Sequence, residues 1–244
     1  MQQYYGDEVR IIPANGKKSR NNRVNGGNFG KKFVVLVIVV CVIALLFTAF
    51  YSPLPSDKVR IFTRSWYFVE TYAESDYEKV VLESENAKER GGGGFVINDG
   101  NFIVTIALFS VKQNAQTVAQ KNDGAKVYEV VISGGVIERN EPLISALNLH
   151  GEIYDNLHSS LVDFENGKSS EALVLFTAQG WIDNAKKIQN DLPTDKYLLV
   201  NNYLIKIMSS LENLIKDEKH TLASRVRYAL CEIVYERAKL SKLL

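Results

Sequence analysis

GGGGFVINDGNFIVTIALF, residues 91–109, joins a run of four glycines to two β-rich segments. Asp99-Gly100 separates the segments and is typical of a tight hairpin, because both positions tolerate positive φ. A phosphate-binding loop would continue into a helix that opens with Lys and Ser or Thr, whereas a strand follows these glycines. The stretch therefore predicts strands at 95–98 and 101–109, with the glycines ending a preceding helix in the left-handed conformation.

The segments on either side of this hairpin alternate between strand and helix patterns. SWYFVETY, residues 65–72, is rich in aromatic residues and predicts a strand. Residues 73–90 change to a helical period, with Ser75 or Asp76 able to cap the helix. A second helix and a last strand at 125–132 follow the hairpin. The order β-α-β-β-α-β predicts a four-stranded antiparallel sheet with both helices on one face and the other face open.

The module formed by residues 63–132 resembles a SPOR domain, the peptidoglycan-binding module of bacterial cell-division and sporulation proteins. WYFVETY is similar to the family's aromatic first strand, and GNFIVTIALFSVKQNAQTVAQ is similar to its third strand and the helix after it. The order of the elements agrees as well. The resemblance implies that the sheet binds glycan strands stripped of their stem peptides on its open face, during division or sporulation.

Strand alternation predicts which side chains lie on that open face. Val69 and Val104 are expected to face the two helices. The glycan-binding residues predicted on the opposite face are Trp66, Phe68, Glu70, Tyr72, Ile103 and Thr105. Glu70 and Ile103 stand where the family often has Gln and Arg, so two hydrogen-bond donors are missing. The alternative is that the C-terminal region covers this apolar face as ordinary core.

Residues 33–51, FVVLVIVVCVIALLFTAFY, form an uncharged apolar run. As a helix this run would extend about 28 Å, close to the thickness of the hydrocarbon core of a membrane. A cleaved signal peptide fits less well, because a largely polar region of 32 residues precedes the run and Phe47 and Ala49 do not form a small-x-small cleavage site. The run therefore predicts a single uncleaved transmembrane helix, with the membrane as a partner.

The charges around this run predict its orientation. Residues 1–32 contain seven Lys and Arg side chains, of which Lys31 and Lys32 adjoin the run. The positive-inside rule then places the N-terminus in the cytoplasm and the bulk of the chain outside. The basic tail has few large apolar residues and is expected to be disordered. Two prolines make residues 52–62 a short, stiff linker.

The pattern of the C-terminal region, residues 140–244, is helical throughout. Apolar residues recur at helical spacing in four segments, and Asn166-Gly167 and Pro193 end the first and the second of them. Four amphipathic helices with short connections predict an antiparallel bundle, which can bury its own core and offers a surface to a protein partner.

Other features narrow the class of function. The net charge of +1 does not favour nucleic acid as a partner. Cys41 and Cys231 lie in distant segments and show no metal-ligand spacing. His150, Asp155 and His158 could share a helix face, but no second pair of ligands supports a metal site. Because no nucleophile–base motif is present either, the sequence predicts a non-catalytic protein without a metal or a cofactor.

The predicted class is α+β: a SPOR-like sheet, a C-terminal helical bundle and one N-terminal transmembrane helix. The leading functional hypothesis is a membrane-anchored protein whose sheet binds denuded peptidoglycan while its bundle recruits a partner. The second is a structural adaptor whose sheet is covered by the bundle. The third, a wall hydrolase that uses carboxylates of the bundle, has the least support because no catalytic constellation is visible.

Overall fold

The computed structural model describes residues 38–39 and 55–244 of the 244-residue chain. The predicted tail 1–32 lies outside the described residues, and so does all of the predicted membrane helix 33–51 except Ile38 and Val39, which are helical. Of the helices that the structure describes, none is long and apolar enough to cross a membrane. The chain from Leu54 to Leu244 forms one compact unit.

From residue 55 onward the described chain forms six strands and six helices. In chain order they are β1 (Lys58–Ile61), β2 (Arg64–Glu74), α1 (Tyr77–Glu89), β3 (Phe95–Asp99), β4 (Asn101–Phe109), α2 (Lys112–Ala119), β5 (Lys126–Ile132), β6 (Gly135–Glu138), α3 (Glu141–Glu165), α4 (Glu171–Asp191), α5 (Leu198–Lys216) and α6 (Leu222–Ser241). The prediction of a mixed α+β chain with an antiparallel sheet and four C-terminal helices is confirmed.

Four of the strands form one antiparallel sheet in the spatial order β3-β4-β2-β5. Helices α1 and α2 both pack on one face of it, the helix face. Ala115 and Ala119 of α2 pack with Val69, and Val80 of α1 packs with Val104. Val69 and Val104 therefore point to the two helices, as the alternation of the strands predicts.

Two register shifts in the β2–β4 pair change which side chains share a face. Glu70 pairs with Thr105 and Tyr72 pairs with Val104, which leaves Thr71 as an extra residue on β2. A bulge of this kind shifts the alternation by one position. Tyr72 consequently packs with Val104 on the helix face. The predicted position of Tyr72 on the opposite face is therefore wrong.

The glycine run ends α1 as the sequence predicts. Gly91 has a φ of +82° and donates its N–H to the carbonyl of Lys88 at 2.9 Å, while Gly92 donates to the carbonyl of Ala87 at 2.8 Å. These two bonds form a Schellman motif, which satisfies the last carbonyls of the helix. Gly94, with a φ of +62°, then turns the chain into β3.

A second, two-stranded sheet lies outside the predicted elements. Strand β1 pairs with β6 in antiparallel register, with Lys58 opposite Glu138 and Ile61 opposite Gly135. The segment predicted as a linker, residues 52–62, thus contains a strand. Gly134 makes the ribbon possible, since a Cβ there would collide with the carbonyl oxygen of Ile61.

Helices α3 to α6 form the predicted bundle, in which each helix contacts the next and α6 returns to α3. Asn140, Ser170 and Thr221 cap α3, α4 and α6 by accepting backbone N–H groups. The buried residues of the bundle belong to the same apolar cluster as Trp66 and Phe68 of the sheet. The four-stranded sheet and the bundle therefore share one core.

The covered sheet face as candidate functional site

The face of the sheet opposite α1 and α2, called here the bundle face, carries most of the predicted glycan-binding residues. Trp66, Phe68 and Thr105 have no exposed surface, and Ile103 is 7 % exposed. Glu70, which pairs with Thr105, is half-buried. The bundle face is therefore not open as predicted. The alternation of the strands predicted correctly which side chains lie on this face, with the exception of Tyr72. The prediction that the face is open is wrong, because helices of the bundle cover it.

Helix α6 covers the β3–β4 half of the bundle face. The ring of Phe95 meets Tyr228 and Tyr235 edge to face, with centroids 5.5 and 5.7 Å apart. The hydroxyl of Tyr235 donates to the carbonyl of Asn98 at 3.0 Å. These contacts place aromatic rings of the chain itself where a sugar ring would have to stack.

Gly93 lets α6 approach the sheet closely. A Cβ at this position would lie 3.1 Å from backbone atoms of Arg227 and Tyr228, so a larger residue would push the helix away. Arg227 also donates from Nη1 to the carbonyl of Gly91. The glycine run therefore has a second role besides ending α1, because α6 packs directly against it.

Helix α3 covers the β2 end of the bundle face through Trp66. The ring of Tyr154 meets the indole edge to face at a centroid distance of 4.7 Å, and its hydroxyl donates to the carbonyl of Leu108 at 3.2 Å. Burial raises the pKa of Tyr154 to about 12, so this hydroxyl remains a donor at every physiological pH. The indole Nε1 of Trp66 has no hydrogen-bond partner among the described residues.

Cys231 lies in this interface between α6 and the sheet. It is fully buried and forms no disulfide bond with any residue that the structure describes. Burial raises the pKa of its thiol to about 12, against the smaller effect of the neighbouring Thr105 hydroxyl. Thr105 itself donates to the carbonyl of Phe95 at 3.0 Å. Its hydroxyl is therefore engaged within the protein and does not face a ligand.

A cluster of charged groups joins α1 to the loop between α5 and α6. Glu85 accepts from Lys88 at 2.7 Å, from Lys219 at 2.8 Å and lies 3.3 Å from Nε2 of His220. The other ring nitrogen of His220 is 2.7 Å from Asp217. The hydrogen bond from Lys219, followed by that from Lys88, lowers the pKa of Glu85 to about 2. The ion pairs and hydrogen bonds of this cluster therefore connect α1 to the loop between α5 and α6 of the bundle.

Replacing Glu85 with Gln should flatten the loss of stability on acidification. The pKa of this carboxyl falls from 4.5 to about 2 on folding, so its contribution is complete above pH 4.5 and disappears as the pH falls towards 2. A third of the side chain is exposed, which limits that contribution to about 1 kcal/mol.

Urea unfolding at several pH values between 7 and 2 tests this prediction. The matched control is Glu129→Gln, at an exposed position of β5 for which the described residues provide no ion pair. In the control the free energy of unfolding should change with pH as it does in the wild-type protein. The same pH dependence in Glu85→Gln would contradict the role assigned to the cluster.

The histidines suggested as metal ligands pack against aromatic rings. His158 stacks on Tyr154 at a centroid distance of 5.2 Å and an interplanar angle of 7°. His150 meets the indole of Trp66 at 5.8 Å. Within residues 38–39 and 55–244, no group of three or more His, Cys, Asp or Glu side chains is placed to hold a metal ion.

No protein-family model, no curated protein and no solved structure matches this chain. The SPOR resemblance therefore stays a prediction. Sequence reasoning gave a cover by the C-terminal region as the alternative, but it did not identify α6 as the helix on the β3–β4 half of this face. The one signal for it was the length of the glycine run, because ending a helix requires only one or two glycines.

Proposed function

We propose that this chain is a non-catalytic, membrane-anchored adaptor of the bacterial cell envelope, in which the SPOR-like sheet forms the core of one folded unit. Residues 33–51 would be the anchor, and the folded unit would lie outside the membrane and present its bundle to a protein partner. The observation that carries the proposal is the complete burial of Trp66 and Phe68 beneath helices of the same chain.

The energetics favour the adaptor over a glycan-binding protein. Uncovering the sheet would expose five large apolar side chains, each of which contributes about 1.5–3 kcal/mol when buried. They are Trp66, Phe68, Phe95, Ile97 and Ile103. The cost, on the order of 10 kcal/mol, exceeds the roughly 8 kcal/mol that a micromolar glycan complex provides. Glycan binding to the sheet would therefore not displace the bundle.

Sedimentation with amidase-treated sacculi tests the proposal. We expect the full chain, purified in detergent micelles, to remain in the supernatant at low and at high salt, both with the amidase-treated and with untreated sacculi. A pellet that forms only with the amidase-treated sacculi, and at every salt concentration, would overturn the adaptor and favour the peptidoglycan-binding hypothesis.

The thiol of Cys231 reports directly whether α6 leaves the sheet. In a Cys41→Ser variant Cys231 is the only cysteine of the chain. Because it is fully buried, we expect a thiol reagent to label it at least about a hundredfold more slowly than in denaturant, with or without denuded sacculi. Faster labelling in the presence of sacculi would show that glycan opens the interface, which contradicts the proposal.

A further inference from the structure

A cavity of about 530 Å³ lies between β1, the β1–β2 connection, α3 and α6. Its volume falls within the range of small-molecule binding sites. Apolar side chains form much of its wall. They include Ile61, Ile132, Ile144 and Leu147. The lining residues come from β1, β2, β5, α3 and α6. Because β1 is one wall, the cavity depends on a part of the fold that the sequence did not predict.

Two buried polar side chains line this cavity and have polar atoms without a hydrogen-bond partner. His150 is 6 % exposed and Arg237 is 2 % exposed. Neither ring nitrogen of His150 and not Nη1 of Arg237 has a hydrogen-bond partner among the residues that the structure describes. A buried donor without a partner costs about 1–3 kcal/mol, and more if it is charged. Such groups persist in a cavity where a ligand can satisfy them.

The position of Arg237 is fixed by a backbone contact. Its Nε donates to the carbonyl of Leu147 at 3.0 Å, which holds the guanidinium against α3. Burial, followed by the charges of Arg237 and Arg64, lowers the pKa of His150 to about 3. The imidazole is therefore neutral at physiological pH and provides one donor and one acceptor. A group that accepts hydrogen bonds from arginine and histidine matches these walls.

Arg64 adds a second guanidinium to the lining. It stacks on the indole of Trp66 at 4.5 Å and forms no ion pair with any described residue. Gly151 makes room for it, since a Cβ there would lie 2.8 Å from Nη1 of Arg64. A glycine inside a helix costs about 0.5–1 kcal/mol relative to alanine. A Cβ at position 151 would require the Arg64 guanidinium to shift from this place.

The remaining charges of the cavity restrict the ligand further. Arg60, Glu152 and Asp155 also line it, and the two acidic side chains are exposed. The three arginines of the lining outnumber the two carboxylates, so the net positive charge favours an anion as the ligand. A planar guanidinium binds a carboxylate through two parallel hydrogen bonds. Because the wall beside the guanidinium groups is largely apolar, the lining favours a carboxylate that carries an apolar body over inorganic phosphate.

We propose that this cavity binds a small monocarboxylate with a short apolar body. The carboxylate bonds to Arg237 and Arg64, the N–H of His150 completes its shell, and the apolar body lies against the isoleucine and leucine side chains of the wall. The proposal does not depend on the adaptor function, because its test uses neither sacculi nor a protein partner.

The fluorescence of Trp66 provides the test. The chain has two tryptophans, and a Trp181→Phe variant leaves Trp66 as the only one. Titration of this full-length variant in detergent micelles with 4-methylpentanoate should change the emission in a saturable way, since the carboxylate competes for the guanidinium that stacks on the indole. The neutral amide of the same acid and inorganic phosphate should produce no saturable change at the same concentrations.

A binding signal that is independent of the indole accompanies this titration. Saturation-transfer NMR should show contact between the protein and the methyl groups of 4-methylpentanoate. Absence of both the emission change and the transfer signal would overturn the proposal. Equal affinity for the amide, or tighter binding of phosphate, would overturn it as well, because the carboxylate would then not be the group recognised.

Arg64→Gln is the variant of choice, since this side chain is exposed and its loss should not unfold the protein. We expect the affinity for 4-methylpentanoate to fall at least about tenfold, as for the loss of a charged hydrogen-bond donor. Arg90→Gln is the matched control, because Arg90 is exposed and pairs with Glu83, away from this cavity. Wild-type affinity in Arg64→Gln, or an equal loss in the control, would contradict the assignment.

Discussion

A chain that ends after His220, and so lacks α6, is expected to lose cooperative unfolding altogether. Helix α6 packs against the sheet on one side and against α3 and α5 on the other. Its large apolar side chains that are buried are Leu222, Val226, Leu230, Ile233, Val234 and Leu240. At about 1.5–3 kcal/mol each, their loss reaches on the order of 10 kcal/mol, which is comparable to the whole stability of a typical domain.

Thermal unfolding followed by circular dichroism, together with binding of a hydrophobic dye, measures the effect. The matched control ends after Lys242 and removes only Leu243 and Leu244, which are 65 % and 68 % exposed. The control should melt like the full chain. A sharp transition in the shorter chain would mean that the rest of the folded unit is stable without α6, and the contacts of α6 with the sheet would then not be needed for cooperative folding.

Local chemistry explains why so many elements were predictable. Asp99-Gly100 forms the hairpin because both residues tolerate the turn, and Gly100 has a φ of +81°. Asn166-Gly167 and Pro193 stop α3 and α4 where the sequence predicts. Each of these signals acts within a few residues, so no knowledge of distant contacts is required to read it.

The cover on the bundle face depends on contacts between distant segments. Alternation along β2 shows that Trp66 and Phe68 share a face, but it does not show what lies on that face. A solvated sugar and a helix from the same chain both require an apolar surface. The contact of α6 with Gly93 separates these alternatives, and residues 93 and 227 are too far apart in the chain for a local pattern to reveal it.

The ribbon and the carboxylate cavity were invisible in the sequence for the same reason. Strands β1 and β6 are four residues each and pair across about 75 positions of the chain. Arg64, His150 and Arg237 come from three separate elements. The one local signal was Gly151, because a glycine in the middle of a long amphipathic helix needs a reason in the packing.

Gly94→Ala is expected to be far more destabilising than Gly100→Ala, although both glycines have positive φ. Any L-residue in the left-handed region costs about 1–2 kcal/mol, and that cost applies to both positions. A Cβ at Gly100 would meet open space, whereas a Cβ at Gly94 would collide with the carbonyl oxygen of Ser84 and lie 2.7 Å from Cγ of Lys88. Crowding of this kind adds about 1–3 kcal/mol.

The carbonyl of Gly94 also accepts a hydrogen bond from the buried hydroxyl of Ser84, so a displaced strand would leave that hydroxyl without its partner. We therefore expect a loss of about 2–5 kcal/mol for Gly94→Ala and of about 1–2 kcal/mol for Gly100→Ala. Urea unfolding of both variants and of the wild-type chain measures the difference. Equal losses would mean that positive φ alone explains the glycines, and the close approach of α1 to β3 would then have no energetic role. A larger loss at Gly94 would instead show that the run contributes to stability through close packing as well as through its turn.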